Sequence, residues 1–292
     1  MQPRRALRVT LRACVAAAAV VFAVLAYVFL TLPDVRQLAT TNPKSTAFME
    51  LRAREAVALG KPVRRAQIWI PYTRISQNLK RAVLVAEDDA FWEHEGIDVE
   101  QIRRSIEIDL AKGAAVRGAS TITQQLAKNL YLSPSRDPLR KLRELIIARR
   151  LEAALPKARI LELYLNVIEW GDGVWGAEAA ARTYFQTSAA SLSREQAALL
   201  AGAIVNPRVL SPAHPNRRLL GRQRLILGRM GSVEPPAPVP MPTPIPSADE
   251  EQPTEPSLPE VTPPESPEQE GFPEPAPSST SEPAPAPPEQ SP

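Results

Sequence analysis

The first pattern along the chain is an uninterrupted apolar one. Ala13 to Leu32 reads ACVAAAAVVFAVLAYVFLTL, twenty residues without a charge. At about 1.5 Å rise per residue, a helix of this run spans roughly 30 Å, the thickness of a bilayer's hydrocarbon core. Arg4, Arg5, Arg8 and Arg12 precede it. The positive-inside rule then predicts a cytoplasmic N-terminus, with everything after Pro33 on the outer side of the membrane. The run is long for a cleavable signal sequence, and AYVFLTLP offers no small-residue cleavage site, so it predicts an uncleaved anchor.

Beyond the anchor the apolar positions take up helical spacing. Asp34 to Ala66 reads as a polar connector with helical character from Phe48 to Leu59, and Gln67 to Pro71 as a short extended piece ended by proline. Ser76 is placed to cap a helix from Gln77 to about Ala90. Gly96 to Lys112 predicts another, with a break near 113–118. Thr121-Ile-Thr-Gln124 fits a capping box opening a helix through Tyr131. Leu139 to Leu155 is strongly periodic and predicts a face of Leu142, Leu145, Ile146 and Arg149. Pro156 opens a helix through Asn166, and Gly171, Gly173 and Gly176 mark a loop. Helices follow over Ala177 to Tyr184, Ser193 to Val205 and Pro215 to Met230. No stretch alternates with period two for long, so the expected fold class is mainly α with short extended pieces.

Composition divides the chain again. Residues 231–292 hold 21 of the 32 prolines and 12 of the 32 acidic residues, but no lysine or arginine. Such a segment cannot bury enough apolar surface to offset its ordering entropy, and disorder is expected. The other 230 residues carry all 35 basic side chains and a net charge of +15, although the whole chain is only +3. The expected organisation is a basic segment (1–12), an anchor (13–32), a connector (33–66), one folded domain (67–230) and the tail (231–292). One cysteine excludes an intramolecular disulfide framework and a multi-cysteine zinc site. Two histidines, His94 and His214, exclude a histidine-rich metal centre. No glycine-rich phosphate-cradling loop is present.

Several clusters carry chemistry. In Glu87-Asp88-Asp89-Ala-Phe91-Trp92-Glu-His94, Glu87 shares a helical face with Val83, Ala90 and Phe91. Apolar surroundings and the neighbouring Asp88 would both raise its pKa, as a general base requires. On spacing alone a solvated acidic helix end is the better reading. His94 has no companion ligand and reads as structural. Ser120, Thr121, Thr123, Gln124, Gln125, Lys128 and Asn129 form a poor core but a good lining for a polar groove; a capped surface helix is the other reading. Arg136, Arg140, Lys141, Arg143 and Glu144 form an anion site with a second carboxylate, or a solvated basic face whose Arg140–Glu144 pair is worth a few tenths of a kcal/mol. Ile160, Leu163 and Tyr164 form an apolar stripe in a stretch that reads as structural.

In order along the chain these clusters read E-D-x-x-F-x-x-H-x-G, G-A-S-T-I-T-Q-Q-x-x-K-N, R-K-x-x-E, I-L-E-x-Y-L-N and G-x-E-A-A-A-x-x-Y-F. The series resembles the peptidoglycan glycosyltransferase family over about Gln67 to Met230, and in its monofunctional form, since no transpeptidase domain follows. The resemblance implies a lysozyme-like, two-lobed α fold with one lobe dipping into the outer face of the membrane. It implies lipid II and the growing glycan strand as substrates, polymerised with inversion and release of undecaprenyl pyrophosphate. Glu87 matches the family's catalytic base and Glu144 its second carboxylate, which orients the site or a divalent ion. Lys128 and Arg136 match its phosphate contacts, with Arg140 and Lys141 nearby. Ser120, Thr121, Gln124, Gln125 and Asn129 would line the sugar groove. No cofactor is obligatory in this reading; Mg or Mn is the divalent cation it allows. The partners expected are the membrane and, through the tail, other cell-wall synthesis proteins, with no nucleic acid. Gln186-Thr187 stands where the family has Gly-Lys, which predicts altered helix-end geometry. The competing readings are a murein-binding scaffold and a lytic enzyme using a glutamic acid on a polymer.

Overall fold

The computed structural model describes residues 3–112, 120–132, 137–235 and 237. All lie in the first of the two units into which the chain divides, Met1–Pro244; the second, Ile245–Pro292, lies outside them. The expected break at 113–118 and the disorder expected of most of the tail also fall outside the described residues.

The chain opens with helix α1 (Pro3–Leu30), whose Leu11–Leu30 stretch is long and apolar enough to cross a membrane. Val28 near its end is buried, and the guanidinium of Arg150 stands 4.6 Å from the centre of the Phe29 ring. A 3₁₀ turn (Arg36–Ala39) leads to α2 (Ala47–Ala58), capped by Thr46, whose hydroxyl accepts from the Met49 N–H at 3.1 Å. This region is more than a connector. Val35, Leu38 and Met49 are buried in the main core, so the folded body begins well before Gln67.

Strand β1 (Ala66–Gln67) and a 3₁₀ turn (Tyr72–Arg74) precede α3 (Gln77–Glu87), which Ser76 caps as expected and which ends three residues early. Then come α4 (Val99–Lys112), α5 (Ile122–Tyr131), α6 (Pro138–Ala154) and α7 (Lys157–Val167). The glycine loop closes a small hairpin of β2 (Glu169–Gly171) and β3 (Val174–Trp175). Sheet order is β1-β3-β2, with β1 parallel and β2 antiparallel to β3. Helices α8 (Ala177–Phe185), α9 (Arg194–Ala203) and α10 (Arg217–Arg229) complete the body, followed by a 3₁₀ turn (Met230–Ser232). The fold is mainly α, as the sequence pattern predicts.

The core sits around α7, which is buried from Ala158 to Val167. Its apolar side chains meet Leu79, Val83 and Leu84 of α3, Ile122 and Leu126 of α5, and Trp170 and Trp175 of the hairpin within one cluster. Its polar side chains tie down the preceding chain. Arg159 Nε donates to the Leu38 carbonyl at 2.8 Å and Nη1 to Glu162 at 2.6 Å. Asn166 exchanges two hydrogen bonds with the Ile70 backbone, at 2.8 and 2.9 Å. Removing one partner from a buried ion pair such as Arg159–Glu162 strands the other charge, at a cost of about 3–5 kcal/mol.

Two local expectations need correction. The buried face of α6 holds Glu144, Ile147, Ala148 and Leu151, not Leu142, Leu145, Ile146 and Arg149. Apolar residues lie on both sides of this helix, so periodicity selected the wrong stripe. At the end of α8, Gln186 takes φ 53° and ψ 32°, the left-handed cap that glycine adopts without steric cost. The helix-end geometry is therefore of the glycine type, and only the residue is unusual. Gln186 is exposed, and a left-handed residue bearing a β-carbon costs about 1 kcal/mol. Gln186→Gly is expected to stabilise the protein by about 1 kcal/mol in thermal unfolding in detergent. An unchanged or lower melting temperature would show that the position carries no strain.

Candidate active site

The site grows out of the end of α3. The Leu84 carbonyl accepts the Asp88 N–H at 2.8 Å, and Glu87 is the last helical residue. Asp88 is almost fully buried and binds in two directions. Its Oδ2 accepts the Ile122 N–H at 2.9 Å, one of the free amides at the buried start of α5, and its Oδ1 faces His94 Nε2 at 2.9 Å. The Gly96 N–H donates to His94 Nδ1 at 3.2 Å, which assigns the imidazole proton to Nε2 and makes it the donor to Asp88. His94 is thus a structural residue, as expected, and Asp88 is a joint rather than a second acid.

Gly96 completes this joint. Its carbonyl accepts from Thr121 Oγ1 at 2.8 Å and Gln124 Nε2 at 3.2 Å. Its φ is +82°, and a β-carbon there would lie 3.1 Å from Glu152 Cγ and 3.2 Å from the Ala148 carbonyl. Both backbone conformation and space demand glycine.

Glu87 itself is only partly exposed. Gln125 Nε2 donates to its Oε2 at 2.9 Å, and Tyr164 OH donates to Gln125 Oε1 at 2.8 Å. The Tyr164 hydroxyl, on the fully buried α7, thereby fixes which way the Gln125 amide points. Burial pushes the Glu87 pKa up, the Gln125 hydrogen bond and the charges of Arg222 and Lys128 pull it down, and Asp88 adds a smaller upward push.

A cleft of about 490 Å³ opens on this carboxylate. Ser120, Gln125 and Lys128 line one side; Ile204, Val205, Arg222 and Arg229 line the other. The Lys128 side chain makes no hydrogen bond or ion pair among the described residues. Its pKa is lowered by burial, against the pull of Glu144 and with the push of Arg140 and Lys141. Those three residues form a cluster on the first turns of α6. Glu144 is 3% exposed; one oxygen takes Arg140 Nη1 at 2.6 Å and the other takes Lys141 Nζ. Lys141 also reaches Gln124 Oε1 at 3.0 Å. A solvated face worth a few tenths of a kcal/mol does not describe a buried carboxylate gripped by two cations. Both Glu144 oxygens are taken, so the cluster does not fit a divalent ion without first losing a cation.

The structure therefore brings together Glu87, Ser120, Gln125 and Lys128 in the cleft, and places Arg140, Lys141 and Glu144 beside Lys128. Arg136 lies outside the described residues. Thr121, Gln124 and Asn129 are buried braces, not groove lining. Thr121 caps α5 by accepting from the Gln124 N–H, but the Gln124 side chain turns to Gly96 and Lys141, so only half of the expected capping box forms. Asn129 Nδ2 donates to the Gln125 carbonyl one turn back, at 2.8 Å. Three features escaped the sequence reading: Arg222 and Arg229, spaced i,i+7 on α10, and the Tyr164–Gln125 relay. The basic spacing of α10 was visible in the sequence; the element it would face was not.

The sequence model of the Transglycosylase family matches residues 14–231. The chain is 49% identical over 195 residues to a biosynthetic peptidoglycan transglycosylase of Nitrosospira multiformis, covering 67% of this chain and 85% of the relative. It is 50% identical over 196 residues to the protein of that name from Thiobacillus denitrificans, covering 67% and 84%. With the one from Chromobacterium violaceum it shares 45% over 219 residues, covering 75% and 96%. The chain belongs to the transglycosylase family.

The relay yields a test. Tyr164→Phe keeps the buried ring but frees the Gln125 amide, and is expected to lower the turnover rate about tenfold, the loss of roughly 1.4 kcal/mol of orientation in the transition state, with KM little changed. A rate equal to wild type would mean that Gln125 is held by other groups.

Proposed function

We propose that this chain is a peptidoglycan glycosyltransferase that polymerises lipid II into glycan strands for the bacterial cell wall. The observation that carries this reading is a partly buried carboxylate, Glu87, whose pKa is raised by burial, facing a cleft that also holds Lys128 beside the Arg140–Lys141–Glu144 cluster. Glu87 takes the proton from the 4-hydroxyl of the acceptor GlcNAc as that oxygen attacks the anomeric carbon of the donor MurNAc. The bond from that carbon to the diphosphate breaks with inversion, and undecaprenyl pyrophosphate leaves with the electron pair. A diphosphate needs charge compensation more than a proton, and Lys128, Arg140 and Lys141 supply it, with Arg136 as the further cation expected from the sequence. Glu144 holds Arg140 and Lys141 in place and takes no proton.

In this reading α1 anchors the protein in the cytoplasmic membrane, with the body on the outer side, where a lipid-borne donor reaches the cleft. The four arginines before the span support that orientation. The acidic, proline-rich tail is the segment assigned to contacts with other wall-synthesis proteins.

The test uses purified full-length protein, detergent and labelled lipid II, with products sized on a gel. Wild type should give a ladder of long glycan and Glu87→Gln none. Shortening of preformed glycan by wild type would instead identify a lytic enzyme. The Glu87→Gln protein should also be no less stable than wild type at neutral pH. A carboxyl whose folded pKa is raised costs stability as pH rises through that range, and the amide removes the cost. A clear drop in melting temperature would mean that the charged Glu87 supports the fold. The same shift fixes the pH dependence. Turnover is lost as pH falls through the raised pKa, so the acid limb should lie above the ordinary glutamate value of about 4.3; a limb at or below that value would remove Glu87 from the role.

A further inference from the structure

The residues after α10 turn back across the catalytic end of α3. Met230 and Val233 are buried in the main core cluster, and Pro235 is buried as well. Three polar contacts grip the chain on both sides of Glu87. Six residues before it, Arg81 Nη2 meets the Glu234 carboxylate at 2.7 Å. Two residues after it, Asp89 meets Arg229 Nη2 at 2.5 Å. Five residues after it, Trp92 Nε1 donates to the Glu234 carbonyl at 2.6 Å. Ser232 and Val233 also line a second cavity, of about 560 Å³, that shares Asp89 and Gln101 with the catalytic cleft. The same α10 that leads into this segment presents Arg222 to the cleft.

We propose that residues 230–235 are a latch that sets the position of Glu87 against the α10 wall, with Arg81 and Trp92 as positioning residues that hold it shut. The proposal rests on the assignment of Glu87 as the base. The geometry argues for it in two ways. Apolar burial of Met230 and Val233 keeps the segment on the body by itself, so the polar contacts are free to define where it lies rather than whether it binds. Those contacts also act on the short stretch around Glu87, whose own side chain has one hydrogen bond, to Gln125, among the described residues.

A latch of this kind has a signature in pH as well as in rate. The groups facing Glu87 are Gln125 and Lys128 of α5, Tyr164 of α7, Asp88 in the following loop and Arg222 of α10. Burial is the larger influence on its pKa and Arg222 the smaller, opposing one. Releasing the polar contacts lets the Glu87 stretch shift away from the α10 wall that carries Arg222, which weakens both, and the larger prevails. The acid limb of turnover therefore moves toward the ordinary glutamate value, to lower pH.

The experiment uses full-length protein with lipid II in detergent, comparing wild type, Trp92→Phe, Arg81→Met and the double variant, with Glu87→Gln as the inactive control. Trp92→Phe keeps the ring and removes the N–H; Arg81→Met keeps the stem and removes the charge. Each single variant should lower the turnover rate about fivefold, with KM and melting temperature close to wild type. The double variant should lose at least tenfold and shift the acid limb downward by a resolvable fraction of a pH unit. Trp92→Gln, which restores an N–H donor, should recover part of the rate. Unchanged turnover in the double variant would overturn the proposal. So would a fall in rate and melting temperature together with an unmoved acid limb, which marks a purely structural strap. If wild type makes no glycan, or Glu87→Gln remains active, the failure lies with the assignment of the base and not with the latch.

Discussion

The candidate active site hangs on the carboxylate of Asp88. The Asp88 backbone N–H closes the end of α3, and its side chain receives the first free N–H of α5 and holds the His94 ring. It ties together two helices that share the core around α7 and carry Glu87 on one side and Gln125 and Lys128 on the other. The joint is buried and charged, a combination that is stable only when its hydrogen-bonding capacity is met. Asp88 meets it with a backbone amide and an imidazole, and Gly96 supplies the carbonyl that anchors the opposite side through Thr121 and Gln124. Much of what resembled a polar groove lining in the sequence is therefore the framework of this joint.

Around it the protein holds two carboxylates in opposite states. Glu144 is buried, and its two oxygens are occupied by the Arg140 and Lys141 cations. Glu87 is partly buried and held by a neutral amide, and burial prevails over the Gln125 hydrogen bond and the charges of Arg222 and Lys128. One carboxylate is suited to organising cations, the other to accepting a proton. Lys128 feels both, and it presents an uncommitted ammonium among the described residues beside the base. That division of labour is the physical content of the glycosyl transfer proposed here, in which an anionic leaving group and a hydroxyl proton must be handled at the same time.

The sequence revealed the helices because their apolar spacing and caps are local. Ser76, Thr121 and Pro156 each stand at the boundary they predict. It pointed to Glu87, Lys128 and Glu144 as candidates through motif order, not through spacing alone. What it hid depends on distant partners. The buried face of α6 could not be chosen, because a buried Glu144 looks polar until Arg140 and Lys141 are seen around it. Tyr164 reads as one more apolar residue until its hydroxyl is found on Gln125, 39 positions away. The connector reads as polar because its ordering comes from Arg159, 121 positions after the Leu38 carbonyl it binds.

The central claim is that burial makes Glu87 a base, and its carboxyl can be followed directly. Carboxyl-¹³C glutamate labelling of the full-length protein in detergent, with Glu87→Gln to assign the signal, would give its titration by NMR. The account predicts that Glu87 titrates above the exposed glutamates, higher than about 4.3. Titration at or below that value would contradict it, because a carboxylate so readily charged is not held by the site as described.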